Sequence, residues 1–319
     1  MLIITEKDII AVFDADEVIA AIEKAYSIQD ENSTLIPDRA HIDYNQNTLL
    51  LMPGFTSEIM GTKLVSVFPE NKVKGKPVIY GQMVLNDVKT GEPLALINGN
   101  KLTAVRTGAV GATAVKHLAS ENVKTLGVIG AGVQGFHQVL LSAKVRPFER
   151  IVVFDNFKEL AETTVAKIKE HYPEVDVSVC KSANELVIQS DVIITATTSD
   201  KQVFDVKPEL LKGKLFVGIG SYKPDMVELP PELMESADTI FTDTPHAMDE
   251  SGDLAIPLKK GIIKKEKIVP FSKLLTSQAE KSSGLTVFKS VGMALFDLTV
   301  ADYFYKKCLE KGVGIEVDF

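Results

Sequence analysis

The chain has 319 residues, 45% of them hydrophobic, with a formal net charge of -8. That is enough apolar material for a large core shared between two domains, and an acidic balance without basic runs argues against nucleic acid or an anionic membrane as partner. Cys180, Cys308 and five histidines show no metal-ligand spacing, and no apolar run reaches the roughly 18 residues of a spanning helix, so the expectation is a soluble cytoplasmic protein without a metal.

In chain order, Thr5-Glu6-Lys7-Asp8 reads as a capped helix start rather than a secretory signal. A second helix carries Val18, Ile19, Ile22 and Tyr26 on one face. From His41 the pattern shortens to strands at 47–52, 61–68, 79–86 and 94–98, with turn residues between them. A helix rich in small residues follows at 102–118. Beyond it strands at 125–129, 151–155, 176–180, 192–196, 215–219 and 239–242 alternate with helical segments, as a doubly wound parallel sheet requires. The last segment, 287–310, places Val287, Val291, Leu295 and Leu298 at helical spacing. The expected fold is α/β. A Rossmann-type doubly wound sheet over 121–286 joins an α+β domain for substrate binding and dimerisation, formed by 1–120 and completed by the C-terminal helix in 287–319.

The most informative stretch is Gly130-Ala131-Gly132-Val133-Gln134-Gly135, at the end of one apolar run, with Asp155 closing the next run 20 positions beyond Gly135. Strand, glycine turn, helix, strand and acid in that order make a dinucleotide site. Gly130 permits the turn, Gly132 leaves room for a pyrophosphate, and Gly135 lets the helix approach the strand. The helix start at Val133 and Gln134 offers N–H groups and a favourable dipole to phosphate. Asp155 suits both ribose hydroxyls and repels a 2′-phosphate. Asn156 stands where an NADP enzyme often has a basic residue. NAD(H) is therefore favoured, with NADP(H) the alternative.

Two further post-strand loops, 195–198 and 218–224, are rich in small and hydroxyl residues, which suits close approach to a cofactor and is also ordinary loop composition. In the front half, Arg39, Lys63 and Arg106 lie beside or within apolar segments. A cation there costs desolvation unless it meets an anion. A guanidinium fork matches a carboxylate, and a lysine polarises or protonates C=N or C=O. On spacing alone, any single one of the three reads first as a surface cation or half of an internal ion pair.

Several segments in order resemble the ornithine cyclodeaminase/mu-crystallin family. They are Leu51-Met52-Pro53-Gly54, Gly61-Thr62-Lys63, Phe68-Pro69-Glu70-Asn71, Thr90-Gly91-Glu92-Pro93 and Leu102-Thr103-Ala104-Val105-Arg106-Thr107. The glycine turn, the stretch from Gly218 to Leu229, and Phe288-Lys289-Ser290-Val291-Gly292-Met293-Ala294 continue the match. The resemblance implies a homodimer whose front domain makes the dimer contact and whose second domain binds NAD(P)(H). It also implies Lys63 as the catalytic lysine, Arg39 and Arg106 as substrate-carboxylate cations, and Met52 beside the substrate. Arg106, Gln134, Asp155 and Ser290, with the loops at Thr197 and Gly220-Ser221, resemble the family's cofactor contacts.

Two departures divide the family's chemistries. Tyr222 stands where its cyclodeaminases and alanine dehydrogenases carry an Asp, and a phenol of pKa about 10 is a poor base at neutral pH. Leu50 stands where the cyclodeaminases have an acid for the substrate amine. The sequence looks more like the family's ketimine reductases, which convert Δ1-pyrroline-2-carboxylate or Δ1-piperideine-2-carboxylate to proline or pipecolate. The substrate expected from the resemblance is therefore a small cyclic imino acid. The alternatives are an ornithine cyclodeaminase, an alanine-type dehydrogenase, an amino-acid condensing enzyme of the same fold, and a non-catalytic mu-crystallin-like binding protein.

Overall fold

Alternating apolar residues in the front of the chain and short, largely apolar runs behind them build two separate sheets. The computed structural model describes residues 1–29 and 34–318. In order the elements are β1 (Leu2–Ile4), α1 (Glu6–Val12), α2 (Ala15–Ile28), β2 (Ala40–Tyr44), β3 (Asn47–Phe55), β4 (Ile59–Val67), β5 (Ile79–Asp87), β6 (Pro93–Asn98) and α3 (Gly99–Leu118). Then come β7 (Thr125–Ile129), α4 (Val133–Val145), β8 (Arg150–Phe154), α5 (Lys158–His171), β9 (Asp176–Val179), α6 (Ala183–Gln189), β10 (Val192–Thr195) and β11 (Leu215–Gly218). The chain continues with α7 (Pro231–Ser236), β12 (Thr239–Thr242), α8 (Ala247–Glu250), α9 (Gly252–Lys259), β13 (Ile268–Pro270), α10 (Phe271–Leu275) and β14 (Thr286–Lys289), and ends with α11 (Ala294–Lys311) and β15 (Ile315–Glu316). It divides into two compact units, Met1–Arg106 with Met293–Phe319, and Thr107–Gly292.

In the first unit, Thr5 and Asp8 form a reciprocal capping box at the start of α1, and Asp14 accepts from the N–H groups of Asp16 and Glu17 at the start of α2. The sheet order is β15-β1-β6-β5-β4-β3-β2, an antiparallel meander from β2 to β6 extended by β1 running parallel to β6. Gly54 of β3 lies opposite Gly61 of β4 on the face covered by α11. A Cβ at Gly54 would come within 2.6 Å of Leu298 Cδ1, and one at Gly61 within 3.2 Å of Leu298 Cδ2. The glycine pair is thus a notch that seats Leu298 and lets α11 lie close to the sheet. Tyr26 of α2 packs edge-on against Phe296 from the other side of the helix, with ring centroids 4.9 Å apart.

The second unit is an eight-stranded sheet in the order β13-β12-β14-β11-β10-β7-β8-β9, with every pair parallel. Its strand order reverses between β7 and β10, which is where a doubly wound sheet opens a ligand crevice at its carboxyl edge. The expected α/β fold with a doubly wound sheet, an α+β part and a C-terminal helix is what is observed.

The helix expected over 287–310 needs correction. Its first residues form β14, inserted between β11 and β12, where Val287 and Phe288 are fully buried. Gly292, at φ +75, breaks the chain before α11 starts at Ala294. The spacing of Val287 and Val291 imitates a helical stripe, but a β-branched and aromatic run buried on both faces belongs in a parallel sheet. Among the described residues, no helix is long and apolar enough to cross a membrane.

Candidate active site

Lys63 sits in the middle of β4, with Met52 of β3 and Met83 of β5 as its cross-strand neighbours. The side chain is only 3% exposed, so its ammonium needs an internal anion, and α11 supplies one. Lys63 Nζ donates to Asp297 Oδ2 at 2.8 Å, and Arg106 Nε donates to Asp297 Oδ1 at 3.0 Å. Asp297 is fully buried and is shared between the two cations. Burial pulls the Lys63 ammonium down to about 8; Arg106 and Arg39 push the same way, and Asp297 opposes them. Burial alone would raise the Asp297 carboxyl, but the two cations hold it below the usual carboxylate range. Arg39, just ahead of β2, is half-buried and near enough for Lys63 to feel its charge.

Two buried cations around one carboxylate leave one excess positive charge. Such a site favours an anion, because an uncompensated buried charge is costly. Only Nε of Arg106 is used on Asp297, which suits the rest of the fork to a carboxylate. Met52, 5% exposed, gives the cluster an apolar wall. The internal ion-pair reading of Lys63 and Arg106 is therefore correct as far as it goes, and it also concentrates positive charge at one place.

In the second unit, the turn after β7 has the features a dinucleotide needs. Gly130 adopts φ +102, which disfavours any side chain. A Cβ on Gly135 would lie 1.8 Å from Gly130 O, whereas one on Gly132 would meet nothing within 4 Å. The helix is thus drawn onto the turn, and open space is left over Gly132. Asp155, just past β8, accepts from Ala131 N at 2.8 Å and from Phe157 N at 2.9 Å, so both of its oxygens are fixed in place. Gly130, Gly132, Asp155, Asn156 and Thr197 line one cavity of about 570 Å³. Val133 is exposed beside the turn, and the buried Oε1 of Gln134 has no hydrogen-bond partner among the described residues. A helix N-terminus with an open cradle, a fixed acid and an unsatisfied buried amide oxygen fits a nicotinamide dinucleotide.

The loops after β10 and β11 meet at Glu228. Its carboxylate accepts from Thr197 N at 2.6 Å and from Gly220 N at 2.6 Å, with Thr195, Thr197 and Ser221 contributing further bonds. Burial pushes the Glu228 carboxyl up, Lys289 pulls it back, and Asp253 adds to the push. Ser221 Oγ bonds Met226 O at 2.6 Å and Ser251 Oγ at 2.8 Å. Ser290 Oγ donates to Asp243 Oδ2 at 2.6 Å. The hydroxyls of these two candidate cofactor residues are thus engaged in holding their own loops. Tyr222 is 40% exposed, with Lys223 Nζ 6.0 Å from its ring centroid.

The structure gathers Lys63, Arg106 and Met52 in the first unit, with Arg39 within electrostatic reach, and the glycine turn, Asp155, Asn156 and Thr197 in the second. Sequence reasoning misses Asp297 and Glu228. An acid in the first turn of a helix, as Asp297 is, ordinarily reads as a dipole partner facing solvent. A signal was present nevertheless: the flanking Phe296 and Leu298 leave an acid inside an apolar run, where it needs a buried cation. Among the described residues, no cluster of histidine, cysteine or acidic side chains could hold a metal.

A model of the ornithine cyclodeaminase/mu-crystallin family matches residues 2–312. The Delta(1)-pyrroline-2-carboxylate reductase of Bacillus thuringiensis subsp. konkukian (strain 97-27) is 36% identical over 328 residues, an alignment covering 100% of both chains. Among solved structures, Delta(1)-pyrroline-2-carboxylate reductase from Thermococcus litoralis, in complex with NADH and L-proline, has a TM-score of 0.92 and 32% identity, covering 99% of this chain and 100% of that one. An archaeal alanine dehydrogenase dimer with bound NAD also has a TM-score of 0.92, at 28% identity, covering 100% of this chain and 99% of that one.

Proposed function

Because the chain belongs to the ornithine cyclodeaminase/mu-crystallin family, we propose that it reduces a cyclic ketimine carboxylate, Δ1-pyrroline-2-carboxylate or its six-membered homologue, to the corresponding cyclic amino acid. The observation that carries this reading is the buried Lys63–Asp297–Arg106 cluster, whose excess positive charge suits a small anionic imine. Relatives that share the whole chain length and are named for this reaction support it.

In this reading Arg106, with Arg39, binds the substrate carboxylate, and Met52 packs against the apolar part of the ring. Lys63 holds a proton for the imine nitrogen, directly or through a water. Its pKa of about 8 suits that task, since the group is protonated at neutral pH yet releases its proton readily. Asp297 keeps the ammonium pointed and charged. A bound dihydronicotinamide supplies the hydride that the imine carbon accepts. The cluster's contribution is orientation and charge placed in advance, the two effects from which such a reduction draws most of its rate.

Glycines 130, 132 and 135, with Val133 and Gln134, would hold the pyrophosphate, and Asp155 with Asn156 the adenosine ribose. The two backbone bonds that fix Asp155 support NADH over NADPH, because the carboxylate cannot swing away from a 2′-phosphate. Ile42, Leu49 and Tyr80, between 36% and 49% exposed, lie on the outer face of the first sheet, opposite the face that carries Lys63. That apolar face supports a homodimer formed with a second copy. Two buried free cysteines are in keeping with a reducing, cytoplasmic setting.

The purified protein should consume NADH with a cyclic ketimine carboxylate and form proline or pipecolate in equal amount. Ammonia release from ornithine without net change in NADH would instead make it a cyclodeaminase. Reduction of pyruvate with ammonia, but of no cyclic imine, would make it an alanine-type dehydrogenase.

A further inference from the structure

Glu228 belongs to none of the groups given a role above, yet it is fully buried and has an unusually complete set of donors. Its Oε1 accepts from Thr197 N at 2.6 Å and Thr197 Oγ1 at 2.9 Å. Its Oε2 accepts from Gly220 N at 2.6 Å, Thr195 Oγ1 at 3.0 Å and Ser221 N at 3.2 Å. The two oxygens therefore divide between two loops: both donors to Oε1 come from the loop after β10, and both backbone donors to Oε2 come from the loop after β11. The glutamate is itself held from below, since Glu228 N and Leu229 N donate to Asp253 Oδ1 at 2.7 and 2.9 Å. Lys289 Nζ lies 3.3 Å from Asp253 Oδ2 and donates to Gly218 O at 3.2 Å, tying the same acid to the end of β11.

The two loops touch. A Cβ on Gly220 would lie 2.1 Å from Thr197 O and 2.5 Å from Glu228 Oε1. Both loops leave the carboxyl ends of adjacent parallel strands, on the β10 side of the switch point. The fixed acid that suits the adenosine ribose, Asp155, is on the β8 side. The β10 loop borders the cavity that holds Asp155, so a dinucleotide whose pyrophosphate rests on the α4 turn must extend its other half past that loop toward the β11 loop.

We infer that Glu228 is a positioning residue for the nicotinamide half of the cofactor, a clamp that ties the β11 loop beside that half to the β10 loop bordering the Asp155 cavity. This rests on the dinucleotide reading above. Glutamine in its place has the same shape but only one acceptor oxygen. Whichever way the amide turns, its NH2 faces the N–H donors of one loop, and the tie between the loops is lost while the bonds of Asp155 to Ala131 N and Phe157 N remain.

The test is the affinity of wild type and Glu228→Gln for NADH and for ADP-ribose, which lacks the nicotinamide, by titration calorimetry. The expected result is NADH binding weakened roughly tenfold or more, with ADP-ribose binding weakened by about threefold or less. Equal loss of both ligands would mark Glu228 as a general fold residue, and unchanged NADH binding would show that no clamp exists; either overturns the inference alone. A wild type that bound neither ligand would overturn the dinucleotide reading and this inference with it. Should Glu228→Gln fail to fold, hydrogen exchange on the ligand-free wild type decides. The amides of Thr197, Gly220 and Ser221 should be protected before any cofactor is added, and free exchange there would overturn the clamp.

Discussion

Lys63 and Asp297, 234 positions apart in the chain, meet at 2.8 Å between Nζ and Oδ2 in the interior of the first unit. Burial, with Arg106 on the other carboxylate oxygen adding its charge, leaves Lys63 a proton held less tightly than usual, although Asp297 opposes the fall. Activity that depends on protonated Lys63 is therefore present below about 8 and is lost as pH rises through that value. A kcat/KM profile for imine reduction should show this basic limb. Activity that stayed flat well above it would remove Lys63 from the proton-holding role.

Replacing Asp297 with Asn tests the other side of the relationship. Asp297 raises the Lys63 pKa by its charge and its hydrogen bond, so its loss should move the basic limb to lower pH. Two buried cations would also lose their anion, which costs about 3–5 kcal/mol of stability. Chemical denaturation and the pH profile of Asp297→Asn measure the two effects separately. An unmoved limb would mean that Asp297 is structural only.

The glycine notch makes an ordered pair of stability expectations. A Cβ on Gly61 would meet the backbone oxygen of Val84 at 2.4 Å, which cannot yield without moving β5. One on Gly54 chiefly meets the end of the Leu298 side chain at 2.6 Å, which can turn aside. Gly61→Ala should therefore cost more than Gly54→Ala, within the about 1–3 kcal/mol usual for overpacking. Urea midpoints check the order, and the reverse order would show that the seating of Leu298, rather than the sheet, limits the packing.

The dinucleotide half of the molecule was legible in the sequence because its constraints are local. Gly130 needs a positive φ, Gly135 must admit the carbonyl of Gly130, and Asp155 must close the next strand. All three fall within one strand–helix–strand unit, so spacing alone exposes them. By residue type alone Lys63 and Arg106 were unexplained cations, given roles only by the family resemblance, because their shared partner is on α11 and no periodicity encodes a pairing between β4, α3 and the last helix. Glu228 was hidden for the same reason, as its partners lie on two other loops. Val287 and Val291 misled, since two apolar residues four apart fit a helix and a buried strand followed by a turn equally well.

In the proposed reading, cofactor choice turns on Asp155. Its carboxylate is fixed by Ala131 N and Phe157 N, so a 2′-phosphate would face a negative charge that cannot withdraw. Asp155→Asn removes that charge and keeps the side chain's size. The ratio of kcat/KM for NADH to that for NADPH should fall by roughly tenfold or more. A wild type that already used NADPH as well as NADH would contradict the discrimination assigned to this residue.

The most direct test compares wild type with Lys63→Met for NADH-dependent conversion of Δ1-pyrroline-2-carboxylate to proline, with NADH affinity measured on both proteins. The wild type should form one proline per NADH. Turnover should fall by about 10²-fold or more in Lys63→Met, with NADH affinity unchanged. Near-normal kcat in the variant, or a wild type that binds NADH and turns over no cyclic imine, would contradict the proposed reading.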